Sequence, residues 1–154
     1  MTIKVKINDD PAKVLLRQLQ NPQAALDAIG KAFVISTQNR IKNTKQSPQG
    51  VAWGAWHLST LLGRIKKGTA SRGLLYDSGN LYNSIFYQAQ GPRAANGRFQ
   101  RTQVVVGVNT GMAPYAQYLQ NGTPKMVARP FIGISADDQK VALAILQRHL
   151  SSQR

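Results

Sequence analysis

The chain has 154 residues with 42% hydrophobic content, enough for one packed domain, and carries 20 Lys+Arg against six acids for a net charge of +14. It holds no run of about 18 apolar residues and no cysteine, which excludes a membrane-spanning helix, a disulfide and a thiolate metal site. The start, "MTIKVKINDD", lacks the charged-then-apolar layout of a signal peptide, so a soluble intracellular protein is expected.

In chain order, "TIKVKIN" alternates Ile3, Val5 and Ile7 with polar residues, the period of a half-buried strand. "DPAKVLLRQLQ" opens with Asp10 as a cap and Pro11 at the first helical position. "NPQAALDAIGKAFVISTQNRIK" repeats the device with Asn21 and Pro22, and Ala25, Leu26, Ile29, Phe33 and Ile41 give it an apolar face. From about residue 43 to residue 73 periodicity lapses. Five glycines, a proline, Trp53 and Trp56 predict a long, basic, mobile or interface loop with one helical turn near residues 58–66. The tryptophans favour burial, as in a loop that orders on a neighbouring subunit.

In "LLYDSGNLYNSI", residues 74–85, Leu81 and Ile85 stand four apart, which predicts a helix start with Ser78 as its cap and Gly79 in its first turn. "SIFYQAQ" and "TQVVVGVN" read as strands joined by a basic hairpin loop over 91–101. "MAPYAQYLQNG" predicts a short helix bearing Tyr115, Tyr118 and Leu119, stopped at Asn121-Gly122. "ARPFIGIS" reads as a further strand, and Ser135 with Asp138 form a capping box for a last helix presenting Val141, Leu143, Ile145, Leu146 and Leu150. The order β-α-α-loop-α-β-β-α-β-α gives a single α+β domain over residues 1–154: a small antiparallel or mixed sheet flanked by helices, with the long basic loop at 43–73.

All six acids are aspartates, and none lies between Asp27 and Asp77. Such a surplus attracts polyanions: nucleic acid, an acidic protein ring or a membrane surface; the plain alternative is a basic surface that only keeps the chain soluble. Lys42, Lys45, Arg64, Lys66, Lys67, Arg72, Arg93, Arg98 and Arg101 are the candidate contacts. They sit in two loops rather than along one helix, and no zinc finger, helix-turn-helix or RNA-binding strand signature accompanies them. Sequence-independent phosphate contact, or docking to an acidic partner, suits that layout better than base reading.

Catalytic patterns are thin. Asp77-Ser78-Gly79 has the composition of an aspartic-protease triplet, but that loop leads into a strand, whereas helical spacing follows here. His57 and His149 belong to no metal-ligand spacing, and no nucleophile elbow, Walker loop or dinucleotide fingerprint occurs. No enzyme activity, cofactor or metal is expected.

Four pieces in order, "SPQGVAW" with "LST", "LLYDSGNLYNSI", "VVVGVN…YAQYLQNGT" and "ARPFIGIS", resemble the phage virion morphogenesis family of tail-completion proteins. Pro48, Gly50 and Trp53 fill its first motif; Leu75, Ser78, Gly79, Leu81, Ser84 and Ile85 the second. Tyr115, Ala116, Gln120 and Gly122 fill the third, and Ala128, Arg129, Pro130, Phe131 and Gly133 the last. The resemblance spans roughly residues 20–150. It implies a structural, non-enzymatic virion protein, made in the host cytoplasm, that forms a hexameric ring at the neck or tail end. Its implied partners are further copies of itself, the tail tube protein and the head connector, with non-specific contact to packaged DNA and no membrane.

Trp53, Trp56, Ser78, Gly79, Tyr115, Arg129 and Phe131 are then structural or interface residues. Arg129-Pro130-Phe131 either pins the last helix to the sheet or a neighbour, or gives it a rigid extended lead-in with Phe131 buried. The alternative function is a sequence-independent DNA-binding accessory protein.

Overall fold

A computed structural model describes residues 2–3, 14–15, 18–19, 22–90 and 103–153. Most of the first expected strand and helix, and the loop with Arg93, Arg98 and Arg101, lie outside the described residues. The elements are β1 (Thr2–Ile3), α1 (Pro22–Asn39), α2 (Leu58–Lys66), α3 (Asn80–Asn83), β2 (Ile85–Gln90), β3 (Gln103–Val108), α4 (Ala116–Asn121) and α5 (Ala136–Ser151). This is the α+β class expected. Two compact units share the chain: Thr2–Ser36, Phe86–Gly107 and Ile134–Arg154 form one, Thr37–Ile85 and Val108–Gly133 the other.

The first unit holds the sheet, in the order β1-β3-β2, with β1 antiparallel to β3 in the register Thr2↔Gly107 and Ile3↔Val106. As the central strand, β3 is buried from Val104 to Val108, which is why its sequence is a continuous apolar run rather than an alternation. Pro22 occupies the first position of α1, where its fixed φ suits the helix and its missing N–H costs nothing. Ala25, Leu26, Ile29 and Phe33 are buried along this helix, each large side chain contributing about 1.5–3 kcal/mol. Gly30 lies beneath the Tyr87 ring with no room for a Cβ, and Gln23 Nε2 donates to Ala89 O at 3.4 Å, so α1 sits against β2. On α5 the capping box is complete. Asp138 N donates to Ser135 Oγ at 3.1 Å, and Ser135 N donates to Asp138 Oδ2 at 2.8 Å.

In the second unit, the stretch 43–73 is more regular than its composition suggests. A π-helical turn over Arg40–Thr44 ends at Lys45, whose N–H donates to Arg40 O at 2.9 Å. A tight reversal follows: Gln46 bridges Ala52, and Trp53 N donates to Lys45 O at 3.0 Å. Then comes α2, a helix of 9 residues where one turn was expected, with His57 Nδ1 accepting the Ser59 N–H as a cap. A 3₁₀ turn over Ala70–Arg72 completes the stretch.

Two expectations are corrected here. The cap of α3 is Gly79, in the left-handed region at φ 88°, and not Ser78; the Ser78 hydroxyl accepts the Asn80 N–H from one residue further out, at 3.3 Å. This helix lasts one turn, because Ser84 bonds back to Leu81 O at 2.7 Å and the β-favouring run Ile85-Phe86-Tyr87 starts β2. The second correction concerns "ARPFIGIS", which is extended but joins no sheet. Side chains take the place of a neighbouring strand. Phe131 N and Ile132 N both donate to Gln120 Oε1, at 3.0 and 3.1 Å, while Gln120 Nε2 donates to Ile132 O at 3.0 Å. These bonds take the N–H groups of Phe131 and Ile132 and the carbonyl of Ile132 that a ladder would otherwise use.

Candidate functional site

Residues of the first, third and fourth motifs meet in the second unit. Trp53 Nε1 donates to Pro130 O at 2.9 Å, and Pro48 packs on Gly133 closely enough that a Cβ there would stand 2.7 Å from its ring. Arg129, buried, donates from Nε to Gly54 O at 3.0 Å and from Nη2 to Ala55 O at 2.8 Å. No carboxylate faces it among the described residues, and burial lowers its guanidinium pKa. By sequence Arg40 is one more cation of the acid-free stretch between Asp27 and Asp77. It is buried instead, and Nη1 donates to Phe131 O and Gly133 O at 3.3 and 3.0 Å. Phe131 is fully buried at the centre of these contacts.

Gly122 closes α4 at φ 75°, a conformation that favours glycine, and a Cβ there would meet Ala128 N at 2.8 Å and Met126 O at 2.9 Å. That glycine lets the chain fold straight back into the Arg129 segment. Motif residues separated by up to 85 positions, from Pro48 to Gly133, thus form one knot of side-chain donors on backbone carbonyls. It is a scaffold. Nothing in it is poised to transfer a proton or attack a bond.

Around the knot the predicted cations separate into two kinds. Arg64 is held within its own unit: its guanidinium stacks on Trp56 at 4.3 Å, donates to Gly73 O at 3.3 Å and lies 3.9 Å from Asp77 Oδ2. Trp56 in turn donates to Leu74 O at 3.2 Å. Lys42 stands over the rings of Tyr76 and Tyr82 at 5.8 and 5.9 Å. Lys45, Lys66, Lys67 and Arg72 are exposed, and among the described residues none of them has an acid within ion-pair distance. Lys66 ends α2 and Lys67 caps it, where the negative end of the helix dipole favours a cation. Tyr115 begins α4, its hydroxyl pKa raised by burial and by the nearby Asp77 charge, against a backbone hydrogen bond at Leu81 that lowers it.

Sequence reasoning missed one surface. No residue of α2 is buried, and Leu58, Leu62 and Ile65 are 65%, 50% and 56% exposed. Their spacing of four and three places them on one helix face, the signal that could have found them. Val51, Met112, Tyr118 and Val127 of the same unit are also exposed. Among the described residues no group of His or Asp is arranged to hold a metal, and no helix is long and apolar enough to cross a membrane.

Comparison with curated proteins and with solved structures gives no match. The sequence profile of one family does match, over residues 4–151, a span that holds the whole knot: the chain belongs to the phage virion morphogenesis family, which assigns it a role in building the virus particle.

Proposed function

We propose that the protein is a structural component of the neck or tail-completion type. Copies of it close into a hexameric ring at the head–tail junction around the DNA path. The observation that carries this reading is α2, a basic-ended helix whose apolar face is left to water. A helix of 9 residues is too short to persist by itself, and three large apolar side chains on one face are of use when a second surface covers them. In a head-to-tail ring that face meets a different patch on the next subunit, so the like charge of the copies does not bring identical surfaces together. The tail tube protein and the head connector are the remaining partners, and the protein resides in the virion after assembly in the host cytoplasm. Membership of the virion morphogenesis family supports the assembly role and a structural rather than catalytic part in it.

Native mass spectrometry of the purified protein at two salt concentrations, together with imaging of the assembled neck, tests the reading. Six-fold rings support it. Particles that join heads to tails normally without this protein would remove it.

A second reading, a sequence-independent DNA-binding accessory protein, is favoured by the acid-free exposure of Lys45, Lys66, Lys67 and Arg72. It requires duplex binding that weakens steeply with salt. No binding at low salt would exclude it.

A further inference from the structure

Three cationic side chains from separate parts of the second unit meet on the short stretch from Gly73 to Asp77. Lys45 comes from the turn after α1, Arg64 from α2 and Arg72 from the 3₁₀ turn. Arg64 Nη1 donates to Gly73 O at 3.3 Å, and Arg72 Nη1 donates to Asp77 O at 3.2 Å. Lys45 extends over the bare Cα of Gly73: a Cβ built there would stand 3.6 Å from Lys45 Nζ. Asp77 is the one acid in the cluster, and in the sequence the nearest others are Asp27 and Asp137.

Like charges gathered this way repel unless an anion sits among them. Asp77 meets that need in part. Its carboxylate is 57% exposed and stands 3.9 Å from Arg64 Nη2, well beyond the roughly 2.7–2.9 Å of a charge-assisted hydrogen bond. Two aromatic rings lie in and just after the same stretch of chain. Tyr76 and Tyr82 meet edge to face at 5.7 Å, with Lys42 above both. Cations beside aromatics suit a nucleic-acid backbone, whose phosphates take the cations while its sugars lie against the rings; an acidic peptide uses only the cations.

We propose that Lys45, Arg64 and Arg72 form a phosphate-binding notch for a nucleic-acid backbone, and that Asp77 is a built-in counter-anion which an incoming phosphate displaces. The proposal rests on the nucleic-acid contact named in the second reading above. Forked guanidinium donors match phosphate oxygens, and the N–H groups of Arg64 and Arg72 not used on carbonyls are the ones available. Asp77 pairs loosely with Arg64 before binding and weakens the contact by competing for it, so that nucleic acid slides past instead of sticking.

The test is fluorescence anisotropy with a short mixed-sequence DNA duplex across a salt series. Lys45→Ala and Arg72→Ala each flatten the salt dependence by about one contact. Asp77→Asn binds about fivefold tighter at low salt, as expected for removing a charge close to the phosphate. Asp137→Asn, at an 88% exposed carboxylate on α5, raises the net charge equally and leaves affinity unchanged. Equal tightening by both Asn variants overturns the local site, as does Asp77→Asn binding no tighter with its melting temperature intact. Should Asp77→Asn melt early, the two Ala variants at exposed side chains decide, and an unchanged salt slope in both overturns the notch. Binding to poly-glutamate but not to the duplex overturns the nucleic-acid assignment. Rings seen by native mass spectrometry without any duplex binding overturn this proposal while leaving the assembly role standing.

Discussion

Gln120→Met removes the polar end of a side chain that stands in for a strand, at nearly constant volume. Three hydrogen bonds disappear: two backbone donors lose Oε1, at 3.0 and 3.1 Å, and Ile132 O loses Nε2, at 3.0 Å. Phe131 and Ile132 are buried, so water does not readily replace the amide. Each ordinary net hydrogen bond is worth about 0.5–1.5 kcal/mol, and each buried group left unpaired costs about 1–3 kcal/mol. Three bonds at the net value come to about 1.5–4.5 kcal/mol, and the unpaired buried groups push the cost toward the upper end. For a chain of this length that corresponds to a fall in melting temperature of roughly 5–15 °C. Urea denaturation followed by tryptophan fluorescence is the natural assay, since Trp53 donates to the neighbouring carbonyl of Pro130. A lower midpoint with an unchanged m-value is expected. A cost below about 0.5 kcal/mol would refute the argument that this side chain replaces a ladder, because it would be no larger than an ordinary surface change.

Replacing Leu58, Leu62 and Ile65 together by Ser leaves the monomer within about 0.5 kcal/mol of its stability, since all three are exposed, but abolishes ring formation in native mass spectrometry. Gly122→Ala costs at least the roughly 1–3 kcal/mol of a strained left-handed residue, plus the clash with Ala128 N, and shows as a lowered thermal midpoint. Tyr115 has a folded pKa above its ordinary value of 10.0, so its neutral form is favoured and its contribution is complete below about pH 10. As pH rises through the folded value that contribution is lost. Tyr115→Phe therefore melts with a shallower decline above about pH 10 than the parent, and identical profiles would contradict the assignment.

Local signals were legible wherever one short stretch supplied both partners. Ser135 and Asp138 stand three residues apart, so their mutual cap could be read directly, and Pro22 marked the start of α1 in the same way. Gly122 after Asn121 marked the end of α4. Failures arose where a remote residue decides. Nothing inside "ARPFIGIS" reveals that Gln120, eleven residues before Phe131, takes its donors, so the apolar run reads as a strand. Arg40 sits in a cationic stretch by sequence yet is drawn inward by the carbonyls of Phe131 and Gly133, more than ninety residues away. Between Asn43 and Gly73 the glycines and tryptophans masked the spacing of Leu58, Leu62 and Ile65. The sites follow the same pattern. Individual cations were visible, but their grouping around Gly73 depends on how α2 and two turns are folded together.

The knot and its surroundings divide into residues that bond through their side chains and residues that bond only through backbone carbonyls, and the two groups face different evolutionary constraints. Trp53, Trp56, Gln120 and Arg129 act through their side chains, so their identities are bound to the fold. Gly54, Ala55 and Leu74 take part only through carbonyl oxygens, which every amino acid possesses. Gly54 also has nothing within 4 Å of where its Cβ would be. A saturation scan should accordingly find intolerant donors beside permissive acceptors, and in the permissive positions the protein holds surface it can rewrite for a changed partner without loosening its own architecture.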